Sequence, residues 1–125
     1  MAKILIVEDN EKNMKLVRDL LQHRGHQTLE AADGETGVKL ALAEQPELVL
    51  MDIQLPGISG VEALAQIRAD ASCDGVPCLA VSASVMPDEQ QRITSGGFDG
   101  FIPKPISLKP FMAAVEKALA EGRKR

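Results

Sequence analysis

Aromatic side chains are nearly absent from this sequence: three Phe stand among 125 residues, without a Trp or a Tyr. That scarcity leaves little on which nucleic-acid bases or a flavin ring would stack. Positive charge is also short, with 14 Lys and Arg against 18 Asp and Glu and a net charge of −4. A nucleic-acid partner is not expected, because its binding rests on neutralising phosphates with Lys and Arg. Long apolar runs are missing too. After Met1-Ala2-Lys3 the run 4–7 stops at Glu8 and Asp9, well short of the roughly 7–15 residues of an export signal. No window reaches the ~18 apolar residues of a membrane span. Only two cysteines occur, Cys73 and Cys78, at neither a CxxC nor a zinc spacing. Cys78 lies in an apolar stretch and reads as a small core residue. The expected location is the cytoplasm, with no membrane insertion.

What is present is ordinary globular composition, 45% hydrophobic and 26% charged. The length fits one domain, large enough to fold without a disulfide or structural metal. Short apolar runs at 4–7, 28–31, 48–51, 78–81 and 101–102 alternate with helical patterns. Three of the runs are continuously apolar, as for parallel strands buried on both faces. Asn10 caps a helix over 11–24, with Glu11 and Lys15 as an i,i+4 pair. Asp33 caps a second, whose inward stripe is Val38, Ala41 and Leu42. Ser59-Gly60-Val61-Glu62 reads as a capping box opening a third, with Val61 and Leu64 facing in. A weak, polar helix over 88–95 ends at Gly96-Gly97. Ser107 starts the last, with the stripe Leu108, Phe111, Met112, Val115 and Leu119. The expected fold is α/β: a (βα)5, flavodoxin-like three-layer sandwich with parallel strand order 2-1-3-4-5. Residues 1–121 form the expected domain and 122–125 a short basic tail.

In such a sheet, ligands bind outside the carboxyl ends of the strands. There the sequence places Glu8 and Asp9 after the first strand, Asp52 after the third, Ser82 after the fourth and Lys104 after the fifth. Singly, each has a plain reading: Asp52 a turn residue, Glu8 or Asp9 a helix cap, Ser82 a loop hydroxyl, Lys104 a surface lysine. Those readings do not explain why all fall at one edge. Three clustered carboxylates repel unless a cation intervenes, and Mg²⁺ suits few carboxylates and several waters. An Asp nucleophile, Mg²⁺, a Lys and a hydroxyl make a phosphoryl-transfer set. His23 and His26 lack such support and read as surface residues.

Val7-Glu8-Asp9-Asn10, Leu50-Met51-Asp52-Ile53-Gln54-Leu55-Pro56-Gly57-Ile58-Ser59-Gly60, Val81-Ser82-Ala83 and Lys104-Pro105 resemble the CheY-like receiver domains of two-component response regulators. The likeness spans essentially the whole chain and, within the family, is greatest to stand-alone cell-cycle and phosphorelay regulators. It implies that Asp52 accepts a phosphoryl group from a sensor histidine kinase or phosphotransfer protein. It also implies that Asp9 and Asp52 bind Mg²⁺ directly, Glu8 mainly through water, and Gln54 through its backbone carbonyl. Lys104 would pair with the phosphoryl group, and its bond to Pro105 would be cis. Ser82 would be the switch hydroxyl and Phe101 the switch aromatic. Phe in place of the commoner Tyr removes a closing hydroxyl bond, and Pro103 should stiffen that strand end.

The same resemblance implies a signalling switch and not an enzyme, one that catalyses only its own phosphorylation and dephosphorylation. A downstream protein target would read its fourth helix, fifth strand and fifth helix, and the chain would be a monomer or weak dimer. Two or three charge-assisted hydrogen bonds to the phosphoryl group, at roughly 1.5–3 kcal/mol each, suffice to reorder residues 83–87 and the weak fourth helix. The alternative from another class is an aspartyl-phosphate phosphohydrolase. Enzymes of the haloacid-dehalogenase type want a second acid two residues after the nucleophile; here Gln54 stands there, and the chain lacks room for a substrate cap.

Overall fold

The computed structural model describes residues 2–83 and 87–122, in which five strands and five α-helices alternate. They are β1 (Lys3–Val7), α1 (Glu11–His23), β2 (Gln27–Ala31), α2 (Gly34–Glu44), β3 (Leu48–Asp52), α3 (Gly60–Arg68), β4 (Cys78–Ser82), α4 (Pro87–Ser95), β5 (Gly100–Pro103) and α5 (Leu108–Glu121). All pairings are parallel and the strand order is β2-β1-β3-β4-β5, as the run pattern predicts. The central β3 and β4 are buried at every position, while the edges β2 and β5 are only partly covered. Pro103 is tolerated because β5 is an edge strand.

Successive side chains of β1 point to opposite faces, which divides the core into two layers. Leu5 and Val7 pack with Val49, Met51, Leu64 and Ile67. Ile4 and Ile6 pack with Leu21, Leu50, Phe111 and Val115. Gly37 is required at the first layer, because a Cβ there would stand 2.7 Å from Val7 Cγ2.

The predicted helix starts hold. Asn10 Oδ1 accepts from Asn13 N at 3.0 Å, Asp33 Oδ1 from Thr36 N at 2.7 Å, and Ser59 and Glu62 close their capping box at 3.2 Å each way. Ser107 stands at the start of α5 without a side-chain cap.

Several details differ from expectation. Lys15 pairs with Asp19 at 2.8 Å, one turn onward, instead of with Glu11. An acid four residues after Lys15 on the same helix face is an equally near partner. Leu108 is 55% exposed although its angle on the wheel matches that of the buried Val115; it is the first residue of α5. Leu42, Val61 and Leu119 are half-buried, and the α3 stripe centres on Ala63, Leu64 and Ile67. His26 is not simply a surface residue: half-buried, its Nδ1 accepts from Ala2 N at 3.1 Å and anchors the start of β1.

A short 3-10 turn at Ala71–Cys73 went unread in the sequence, as did the half-buried ion pair beside it. Arg68 bonds Asp99 at 3.3 Å and the Cys73 carbonyl at 2.9 Å, while Asp99 accepts from Cys78 N at 2.8 Å. This network ties the end of α3 to the entries of β4 and β5. Cys73 and Cys78 are both buried free thiols, and burial pushes Cys78 far up from its ordinary value.

Candidate functional site

The ends of four strands, β1, β3, β4 and β5, bring the predicted residues together at the carboxyl edge of the sheet. The β1 ladder runs one residue past Val7, where Glu8 N–H donates to the Ala31 carbonyl at 2.9 Å. Asp52 ends β3, and Ile53 N–H donates to the Val81 carbonyl at 3.2 Å. Lys104 follows β5, with its N–H on the Ser82 carbonyl at 2.9 Å and a cis bond to Pro105. The backbone ladder thus aims Glu8, Asp52, Ser82 and Lys104 into one cleft of about 360 Å³, which Asp9 and Gln54 also line.

Glu8 and Asp52 are only 5% and 4% exposed, whereas Asp9 faces solvent. Oxygen atoms from all three carboxylates lie within 4.8 Å of one another. Lys104 Nζ bridges the two buried acids, 2.9 Å from Glu8 Oε1 and 3.0 Å from Asp52 Oδ2. The other Asp52 oxygen accepts from Gln54 N–H at 3.1 Å, and Glu8 Oε2 accepts from Asn10 N–H at 3.1 Å.

One cation against two buried acids leaves the cluster short of positive charge. Burial first, then the hydrogen bond with Asp52, pushes the Glu8 carboxyl up to about 7, against the opposing pull of Lys104 and the Asn10 N–H. Burial alone would lower Lys104. The hydrogen bonds and charges of Glu8 and Asp52 outweigh it and hold the lysine above its ordinary value, fully charged. The cleft is thus an all-oxygen donor set with a fixed ammonium at one wall.

Ser82 is buried at the cleft wall beside Ala83. Phe101 is half-buried on β5 opposite Ala80, packs against the first core layer, and is not part of the cleft lining. Asn13 lines the cleft and was missed in the sequence; its signal was the spacing of three from Asn10 on one helix face. Of residues 83–87, Ser84, Val85 and Met86 lie outside the described residues, as do Arg123, Lys124 and Arg125 of the tail. No helix among the described residues is long and apolar enough to cross a membrane.

A doubly wound parallel sheet with an acid-lined cleft and a bridging lysine at its carboxyl edge defines a class. Residues 4–116 match the response regulator receiver domain family, and the chain belongs to it. Among characterised relatives, it is 40% identical over 119 residues to the polar-differentiation response regulator DivK of Brucella anthropi, covering 95% of this chain and 97% of that protein. Among solved structures it is similar to the receiver domain of sensor histidine kinase PA1611 from Pseudomonas aeruginosa. That domain has a magnesium ion coordinated in its active-site cleft, and the likeness has a TM-score of 0.90 at 26% identity, covering 96% and 98% of the two chains. The chemotaxis response regulator CheY4 of Vibrio cholerae shares the fold, with a TM-score of 0.89 at 24% identity over 94% of this chain and 98% of that one. The chain is a receiver-domain response regulator, a signalling protein, and the phosphohydrolase alternative is not favoured.

Proposed function

We propose that Asp52 accepts a phosphoryl group from a sensor histidine kinase or phosphotransfer protein and that the resulting state is read by a downstream protein. The observation that carries this reading is the Lys104 bridge to Asp52 and Glu8 at the mouth of a three-carboxylate cleft. A hard divalent ion suits that all-oxygen donor set, and Mg²⁺ is the ion reported in the Pseudomonas relative's cleft. Glu8, Asp9, Asp52 and the Gln54 carbonyl are the groups that would hold it. When bound, Mg²⁺ supplies neutralising charge at the phosphoryl oxygens.

The rest falls to this chain's own side chains. An Asp52 oxygen attacks phosphorus, the bond to the donor atom breaks, and its electron pair leaves with the donor. Lys104, already charged and 3.0 Å from Asp52, balances the added negative charge. Ser82, from the adjoining strand end, donates its hydroxyl to a phosphoryl oxygen and so registers the modification. Phe101, two register positions before the Pro103 that faces Ser82, relays the new Ser82 contact toward a face formed by α4, β5 and α5. The protein catalyses only its own phosphorylation and dephosphorylation. It works in the cytoplasm as a monomer or weak dimer, in a cell-cycle or phosphorelay circuit; its Brucella relative is named for polar differentiation.

Intact mass after incubation with Mg²⁺ and acetyl phosphate tests the acceptor. One added phosphoryl group is expected on the wild type and none on Asp52→Asn. An adduct on both proteins would move the acceptor elsewhere.

A further inference from the structure

The loop that follows Asp52 is gripped from outside the cleft. Asp33 caps α2 through Thr36 and fixes its first turn. In that turn Gly34 presses on the loop, where an added Cβ would stand 2.7 Å from Ile58 Cγ1 and 3.1 Å from the Ile58 carbonyl oxygen. The next residue, Glu35, lays its carboxylate along Gly57, both oxygens 2.8 Å from where a Cβ would stand. Its Oε1 also accepts from Ile58 N–H at 3.4 Å. Gly57 takes a φ of +76°, which other residues adopt only with strain.

The loop's two ends are fixed separately, by Gln54 N–H on Asp52 Oδ1 at 3.1 Å and by Gly60 N–H on the Ile53 carbonyl at 3.0 Å. Its apex rests on Glu35. At the other side, α2 follows β2, whose last carbonyl, that of Ala31, takes the Glu8 N–H. Glu35 therefore ties the loop after Asp52 to the strand end that orients Glu8.

We infer that Glu35 is a positioning residue: by holding residues 57–58 it fixes the loop that presents the Gln54 carbonyl, and so sets the cleft's affinity for Mg²⁺. The inference rests on the proposed metal-assisted phosphoryl transfer at Asp52. A ligand on a loop is only as well placed as the groups that hold the loop, and losing such a support costs metal affinity without touching the metal. Glu35 acts as a hydrogen-bond acceptor, a role that a neutral amide oxygen fills equally well.

Calorimetric titration of the full chain with Mg²⁺, without any phosphodonor, tests this on the wild type, Glu35→Ala and Glu35→Gln. Glu35→Ala should weaken binding about tenfold, the low end of what an outer support is worth, while Glu35→Gln stays close to wild type. In the metal-free proteins the Ile58 amide resonance should move in Glu35→Ala and hold in Glu35→Gln, which reads the tether directly even if the alanine variant is less stable. Equal affinity in Glu35→Ala overturns the inference. So does a Glu35→Gln as weak as the alanine variant, because it would make charge the cause. A wild type that binds no Mg²⁺ would instead overturn the reading of the cleft, and this inference with it.

Discussion

Lys104 meets Glu8 and Asp52 at 2.9 and 3.0 Å, and without a metal the second buried acid can be neutralised only by a proton. Glu8 is the group that takes it, its carboxyl raised from 4.5 to about 7 by burial and by Asp52. Between those two values the folded protein holds more protons than the unfolded chain. Stability in EDTA should therefore be full below about pH 4.5 as far as this group is concerned, and fall as pH rises to 7. The loss should be on the order of 1–3 kcal/mol, because each tenfold gain in proton affinity is worth about 1.4 kcal/mol. Urea unfolding at pH 5 and pH 7.5 measures it, and Glu8→Gln should flatten the difference. An equally steep loss in the variant would place the proton elsewhere. The cluster itself was legible in the sequence because a side chain that follows a buried parallel strand must emerge at the sheet's carboxyl edge. Asp99 was not legible. Its partners Arg68 and the Cys78 N–H come from two other elements, and nothing local to Phe98-Asp99-Gly100 announces either.

Element boundaries followed from chemistry that is itself local. The Asn10, Asp33 and Ser59 caps are short-range hydrogen bonds, so residue type and spacing suffice to place them. Leu108, read as part of the inward stripe, is exposed, and the Ala71–Cys73 turn was not read at all, because neither is set by a repeat. The same holds for Gly60, which in the sequence is merely one residue of a capping box. In the fold, α3 starts so close to β3 that a Cβ on Gly60 would stand 2.3 Å from the Asp52 carbonyl oxygen and 2.9 Å from Ile53 Cα. Both obstacles are backbone, which cannot swing aside as a side chain can. Gly60→Ala should lower stability by roughly 1–3 kcal/mol, toward the upper end of what overpacking costs. It should also slow phosphorylation, by shifting the strand end that carries Asp52. Gly75→Ala, with nothing within 4 Å of the added Cβ, should change stability by less than about 0.5 kcal/mol. Equal urea midpoints for the two variants would remove the close approach as a determinant.

Over the whole molecule, the strand order β2-β1-β3-β4-β5 is what makes one cleft out of residues as distant in sequence as Glu8 and Lys104. Central β1 and β3 put two acids side by side, and edge β5 brings the lysine over them. The connection rules for parallel sheets made that order readable from the alternation of runs. A ligand that bridges β1, β3 and their loops binds only when all are in place, so its free energy of binding becomes stability of the entire fold. At a hundred times its dissociation constant, Mg²⁺ should add about 2.7 kcal/mol. For a domain of this size that is roughly a 10 °C rise in Tm. Asp52→Asn acts on the same balance from the other side. With one buried charge removed, the EDTA-treated variant should melt higher than the EDTA-treated wild type, and Mg²⁺ should raise it by much less. Thermal melts of both proteins with EDTA and with excess Mg²⁺ give all four values. If the two rises are equal, Asp52 is not among the groups that hold the ion; if the metal-free Tm values agree, the three carboxylates do not strain the fold. Repulsion relieved and linkage lost must appear together, because both come from the same carboxylate at the end of β3.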